Sequence, residues 1–289
     1  MAKIIAVANQ KGGVGKTTTC VNICAALSLM DKRILLVDCD PQGNASSGMG
    51  VSKTQRPNTY DMVINDVPAA DCVVSTEYGD VIPASKELAA SSVELINKDR
   101  REYVLKEAIA SLYSEYDYIF LDCPPSLELL TVNALVAADS VLIPMQCEYY
   151  ALEGIADLMT SIKMCSKHLN RRLDVEGIVL TMYDSRANLT VQVENELRKY
   201  LGKKVYDTVI PRSVRLSEAP SHGLPGVVYD RVNRGSKAYM ALAVEFLARC
   251  GKLGHRWQQR KRKVSEQGLT LSSAARPSTM RKRSFSLFR

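Results

Sequence analysis

Between Lys11 and Thr19 the chain reads KGGVGKTTT, and each residue type in that run suits one chemistry. Gly12, Gly13 and Gly15 are expected to let the backbone curl so that successive amide N–H groups converge on one concavity, an anion nest at the start of a helix. Lys16 is spaced to reach the β- and γ-phosphates of a nucleotide, and the Thr17 hydroxyl to ligate Mg²⁺. The candidate nucleotide-binding segment is therefore Lys11, Gly12, Gly13, Val14, Gly15, Lys16, Thr17 and Thr18. An ordinary glycine-rich turn is the plain alternative, but it does not account for strand, glycines, Lys-Thr and helix falling in this order. The strict G-x-x-x-x-G-K-[ST] spacing is broken by Gln10, which stands where the first glycine should be. Beside it, Lys11 brings a second lysine to the same loop; its simple reading is a solvated charge.

Two acidic runs complete the set, DCDPQGN from Asp38 and LDCPPS around Asp122. Carboxylates at the C-terminal ends of neighbouring parallel strands converge on the crevice where phosphates would lie. Asp122 suits a residue that holds Mg²⁺ directly or through water, Asp40 one that positions the attacking water, and Asp38 a brace for the loop. Each could instead be a turn former or a cap.

Those residues need a scaffold of strands that end together. Short β-branched runs alternate with segments of helical period, which predicts a single domain with a mostly parallel, doubly wound α/β sheet flanked by helices; joined to the KGGVGKTTT loop, that is the arrangement expected of a P-loop NTPase domain. Strands are expected at 3–9, 33–38, 80–84, 117–122, 140–145, 175–182 and 205–210, and helices at 16–30, 99–115, 127–138, 151–168, 188–201 and 236–250. Most of the strands are continuous apolar runs, as burial on both faces requires.

The chain has 289 residues, 46% apolar and 24% charged, with a net charge of +7. That charge is unevenly placed: residues 255–289 hold ten Lys or Arg against Glu266, net +9, so residues 1–254 are at −2. We expect an ordered domain at 1–254 and a basic, disordered tail at 255–289. The eight cysteines form no C-x-x-C pair, so a zinc site is not expected, and their scatter fits a reducing cytosol. No signal segment or 18-residue apolar run is present.

The KGGxGK[ST] run from Lys11 to Thr17 resembles the deviant Walker A ATPases. The stretches NQKGGVGKTTT, LLVDCDPQGNA, DYIFLDCPPS, QCEYYALEG and VIPRSVRLSEAPSHG narrow this to the ParA/Soj group of DNA-partitioning ATPases. The resemblance implies an ATPase using ATP and Mg²⁺, with Lys11 crossing the interface of an ATP-sandwich homodimer to assist Lys16 and Asp40 in catalysis. It implies adenine packing by Pro211 and Ser213, and contact with nonspecific DNA through Arg186 and Arg215. It further implies a ParB-like centromere-binding partner that stimulates hydrolysis, and a cytoplasmic, nucleoid-associated protein. Two alternatives share the nucleotide fold. A MinD-like, membrane-recruited regulator would use the terminal MRKRSFSLFR, whose Phe285, Leu287 and Phe288 sit among cations. An iron–sulfur protein would need cysteines shared across a dimer, and Cys123 alone lies beside the nucleotide elements.

Overall fold

The computed structural model describes residues 1–148 and 151–251. In chain order its strands and α-helices are β1 (Lys3–Val7), α1 (Lys16–Ser28), β2 (Ile34–Asp38), α2 (Asn44–Gly48), α3 (Thr59–Ile64), β3 (Val74–Thr76), β4 (Gly79–Ile82), α4 (Ser91–Glu94), α5 (Val104–Ala108), β5 (Tyr118–Asp122), α6 (Leu129–Ala137), β6 (Ser140–Gln146), α7 (Ala151–His168), β7 (Asp174–Thr181), α8 (Asn188–Leu201), α9 (Val214–Glu218), α10 (Gly226–Tyr229) and α11 (Arg234–Arg249). The chain falls into two units, Met1–Phe246 and Leu247–Arg289. The expected boundary at 254 and the tail 255–289 lie outside the described residues.

The strands form one sheet in the order β3-β4-β2-β5-β1-β6-β7. Every pairing is parallel except the edge pair β3–β4, so the predicted α/β class holds. Every residue of β2 and β5 is buried, which is why these segments carry no polar alternation. The winding reverses at β1: β2 lies to one side of it, beyond β5, and β6 to the other. Ligands of such sheets sit beyond the carboxyl ends of the strands at this switch point, and there β1 hands over to the KGGVGKTTT loop. No helix among the described residues is long and apolar enough to cross a membrane.

Two expected elements differ. Residues 205–210 are not a strand. The segment runs beside β7 and bonds it at both ends, Tyr206 N to Ile178 O at 2.9 Å and Ile210 N to Leu180 O at 2.8 Å. Between them the Asp207 and Thr208 amides donate to the Glu245 carboxylate, each at 2.9 Å, so α11 takes the donors a ladder would need. The expected helix at 99–115 is reduced to α5 and a 3₁₀ turn at Ile109–Leu112. Asn133 of α6 accepts from Leu105 N and donates to Arg101 O, at 3.1 and 2.8 Å. Those two groups would have bonded each other had the helix begun earlier. The three-residue strand β3 was not anticipated.

Candidate nucleotide site

The loop between β1 and α1 uses two of its three glycines for conformation. Gly13 and Gly15 take φ of +73° and +88°, a region where L side chains are strained. Gly12 is outside that region, and a side chain there would meet nothing within 4 Å. The expectation that all three curl the backbone therefore holds for two.

Lys16 opens α1 and is 7% exposed. Its Nζ donates to Lys11 O at 3.2 Å, bridging the loop from within. Burial lowers the ammonium's pKa, against the opposing pull of Asp122, Cys123 and Asp40. Lys11, by contrast, is half exposed and ion-paired with Glu148 of the same chain.

The carboxylates arrive as the strand ends dictate. Val7, Asp38 and Asp122 end β1, β2 and β5 in one register row. Asp38 is fully buried, and its oxygens accept from Asp40 N at 3.1 Å, Ser46 N at 2.8 Å and Ser46 Oγ at 2.7 Å. It braces the turn that carries Asp40. Burial nevertheless pushes its pKa up to about 6. Asp40, 8% exposed, accepts from Gln42 N at 2.9 Å, an Asx turn that leaves its other oxygen open.

Asp122 is also fully buried, yet neither oxygen has a hydrogen bond of regular geometry. Burial, reinforced by the charges of Asp38 and Asp40, holds its pKa well above the usual carboxylate range, with the nearby Thr17 hydroxyl and Lys16 ammonium pulling the other way. A buried carboxylate without donors is costly, and a hard cation is the partner that relieves it. The residues present therefore fit Mg²⁺: Asp122 and Thr17 supply the oxygen donors such an ion takes.

Two further residues grip this loop. Gln146, ending β6, donates through Nε2 to Gly13 O at 3.0 Å. Thr181, ending β7, donates through Oγ1 to Val14 O at 2.7 Å. Sequence reasoning missed both: Gln146 opens the QCEYYALEG stretch, but no role was read from it, and no motif marks Thr181. The one available signal was a polar residue closing each apolar strand.

Other expected residues lie apart from this centre. Pro211 bridges to Tyr183 just past β7, while the Ser213 hydroxyl bonds Asn233 Oδ1 at 2.8 Å. Arg186, in the turn before α8, is held by both oxygens of Asp184. Arg215, on α9, pairs with Glu218 and Asp230. Cys123 is buried, and burial raises its thiol pKa, which is the character of a packing residue.

Comparison with known proteins bears directly on this arrangement. Residues 2–175 match the family described as an AAA domain. Sporulation initiation inhibitor protein Soj of Bacillus subtilis (strain 168) is 54% identical over 251 residues, 86% of this chain and 99% of that one. Chromosome partitioning protein ParA of Myxococcus xanthus (strain DK1622) is 51% identical over 252 residues, 86% and 89% of the two chains. The chain belongs to the ParA/Soj family of chromosome-partitioning ATPases. Among solved structures it is similar to cobyrinic acid a,c-diamide synthase from Mycobacterium smegmatis with bound ATP analog and magnesium. That likeness has a TM-score of 0.73 at 33% identity and covers 84% of this chain and 93% of the other. Nucleotide and Mg²⁺ thus bind within this fold.

Proposed function

We propose that this chain is an ATP-hydrolysing partition switch. ATP joins two copies into a homodimer that binds nonspecific DNA of the nucleoid, and hydrolysis, stimulated by a ParB-like partner, releases it. The observation that supports this best is the fully buried Asp122 carboxyl beside Thr17 and Lys16, which has no hydrogen bond of regular geometry and whose ionised form a cation would favour.

The loop amides and Lys16 would hold the β- and γ-phosphates. Bound to Asp122 and Thr17, Mg²⁺ would neutralise phosphate oxygens, its usual part in phosphoryl transfer. Asp40 orients the water. Lys11, released from Glu148, reaches the nucleotide of the partner protomer, so the dimer carries a charge that the monomer lacks. Pro211 and Ser213 line the adenine side, with the Ser213 hydroxyl turned to Asn233. Arg186 and Arg215 exchange their carboxylate partners for DNA phosphates, contacts that position without reading sequence.

Light scattering tests the switch. Asp40→Ala incubated with ATP and Mg²⁺ is expected to accumulate as a dimer that retains nonspecific duplex DNA, and adding Lys11→Ala to it should return the chain to monomer. A double variant that still dimerises with ATP would overturn the role of Lys11.

A further inference from the structure

We infer that Thr181 is a positioning residue for the phosphate loop, with Gln146 as its neighbour in the same task; the inference rests on the reading of that loop as a nucleotide site. The two residues end adjacent parallel strands and are partners in register. They hold consecutive carbonyls of the loop, Gln146 that of Gly13 at 3.0 Å and Thr181 that of Val14 at 2.7 Å. Across a trans peptide the C=O and the following N–H point in opposite directions. Anchoring these two carbonyls against the ends of β6 and β7 therefore turns the Val14 and Gly15 amides away from the sheet edge, into the concavity that a phosphate would fill.

Three observations favour positioning over incidental packing. Thr181 is 2% exposed and Val14 1% exposed, so no water can replace the hydroxyl on that carbonyl. Gly15 brings the loop into contact: a Cβ built there would lie 3.7 Å from Thr181 Cγ2. Immediately after Thr181 the backbone is forced, since Met182 takes φ of +50°, a left-handed conformation unfavourable to any side chain. That turn sends Tyr183 N to Ile210 O at 2.9 Å and aligns Tyr183 with Pro211. The end of β7 thus carries the grip on the phosphate loop at Thr181 and, two residues later, Tyr183, whose backbone is aligned with Pro211 of the proposed adenine segment. Strain held at such a junction is typical of a functional constraint.

The test is titration of full-length chain with a fluorescent ATP analogue and Mg²⁺, together with steady-state ATPase kinetics, well below the unfolding temperature. Thr181→Val keeps the shape and removes the donor; it should weaken nucleotide binding about tenfold, raising KM with little change in kcat. Thr181→Ser keeps the donor and should restore near wild-type affinity. Gln146→Leu, at a more exposed bond, should weaken binding about threefold. Wild-type affinity in a folded Thr181→Val, or an equal loss in Thr181→Ser, would overturn the inference. If Thr181→Val does not fold, Gln146→Leu decides, and unchanged affinity there overturns it. A Lys16→Ala chain that binds as the wild type does would instead bring down the nucleotide reading itself.

Discussion

Asp38 and Asp122 are register partners at the ends of adjacent strands, both fully buried, and they differ in one respect. Asp38 is surrounded by donors from its own chain, namely the Asp40 amide and the amide and hydroxyl of Ser46. Asp122 has none of regular geometry. Burial raises both pKa values, to about 6 for Asp38 and well above the usual range for Asp122. A buried acid already satisfied from within belongs to the architecture. A buried acid left unsatisfied is poised for something that arrives from outside, and here Thr17 and the phosphate loop define what that is.

The largest expected effect comes from Asp122→Asn. Replacing the charge with a neutral amide should cut ATP hydrolysis by about a hundredfold or more. The nucleotide-free chain should unfold at no lower temperature than wild type, because a carboxyl that burial keeps from ionising, and that the unfolded chain would ionise, has gone. A thermal unfolding midpoint that drops markedly would mean that Asp122 is structural after all, and would erase the contrast with Asp38.

A pH series sharpens the other side. The native chain binds the Asp38 proton more tightly than the unfolded chain does, so this group favours folding below about pH 4, near the ordinary carboxylate value. That contribution is lost as pH rises towards the folded value of about 6. In urea unfolding, the stability of wild type relative to Asp38→Asn should therefore fall between pH 4 and pH 6, by at most about 3 kcal/mol. A gap that stays constant across the window would contradict the raised pKa. A smaller effect is expected from Ser46→Ala, which removes the hydroxyl that donates to Asp38 and accepts from Ala84 N at 3.0 Å. A loss of about 2 kcal/mol without loss of nucleotide affinity is expected, measured by the same unfolding and by analogue titration.

The contrast also separates what could be read along the chain from what could not. The alternation of apolar strands and helices, and the loop between β1 and α1, follow from local sequence, since both depend on neighbours a few residues away. That Asp38 braces the loop is also expected from local sequence; the donors that satisfy it are not. Ser46 lies eight residues beyond Asp38 and satisfies it only once α2 has turned back. Nor could Thr181 and Gln146 be found, because each meets its carbonyl across more than 130 residues of chain. The same distance effect removed expected elements. Glu245 claims two amides of the 205–210 segment, and Asn133 delays the start of α5 by taking the bonds of Arg101 and Leu105. A single remote side chain was enough in each case to override a local pattern.

The Lys11–Glu148 ion pair joins two half-exposed side chains, and pairs of that kind contribute only about 0–1 kcal/mol. As a hold on the lysine it is a bias of a few-fold, not a lock, and ionic strength weakens it. The same ions compete for arginine contacts to DNA phosphates, where the dependence on salt is steep. In the proposed switch, rising salt would ease the freeing of Lys11 from Glu148 but also screen its attraction to the partner's nucleotide, while it loosens the grip on DNA.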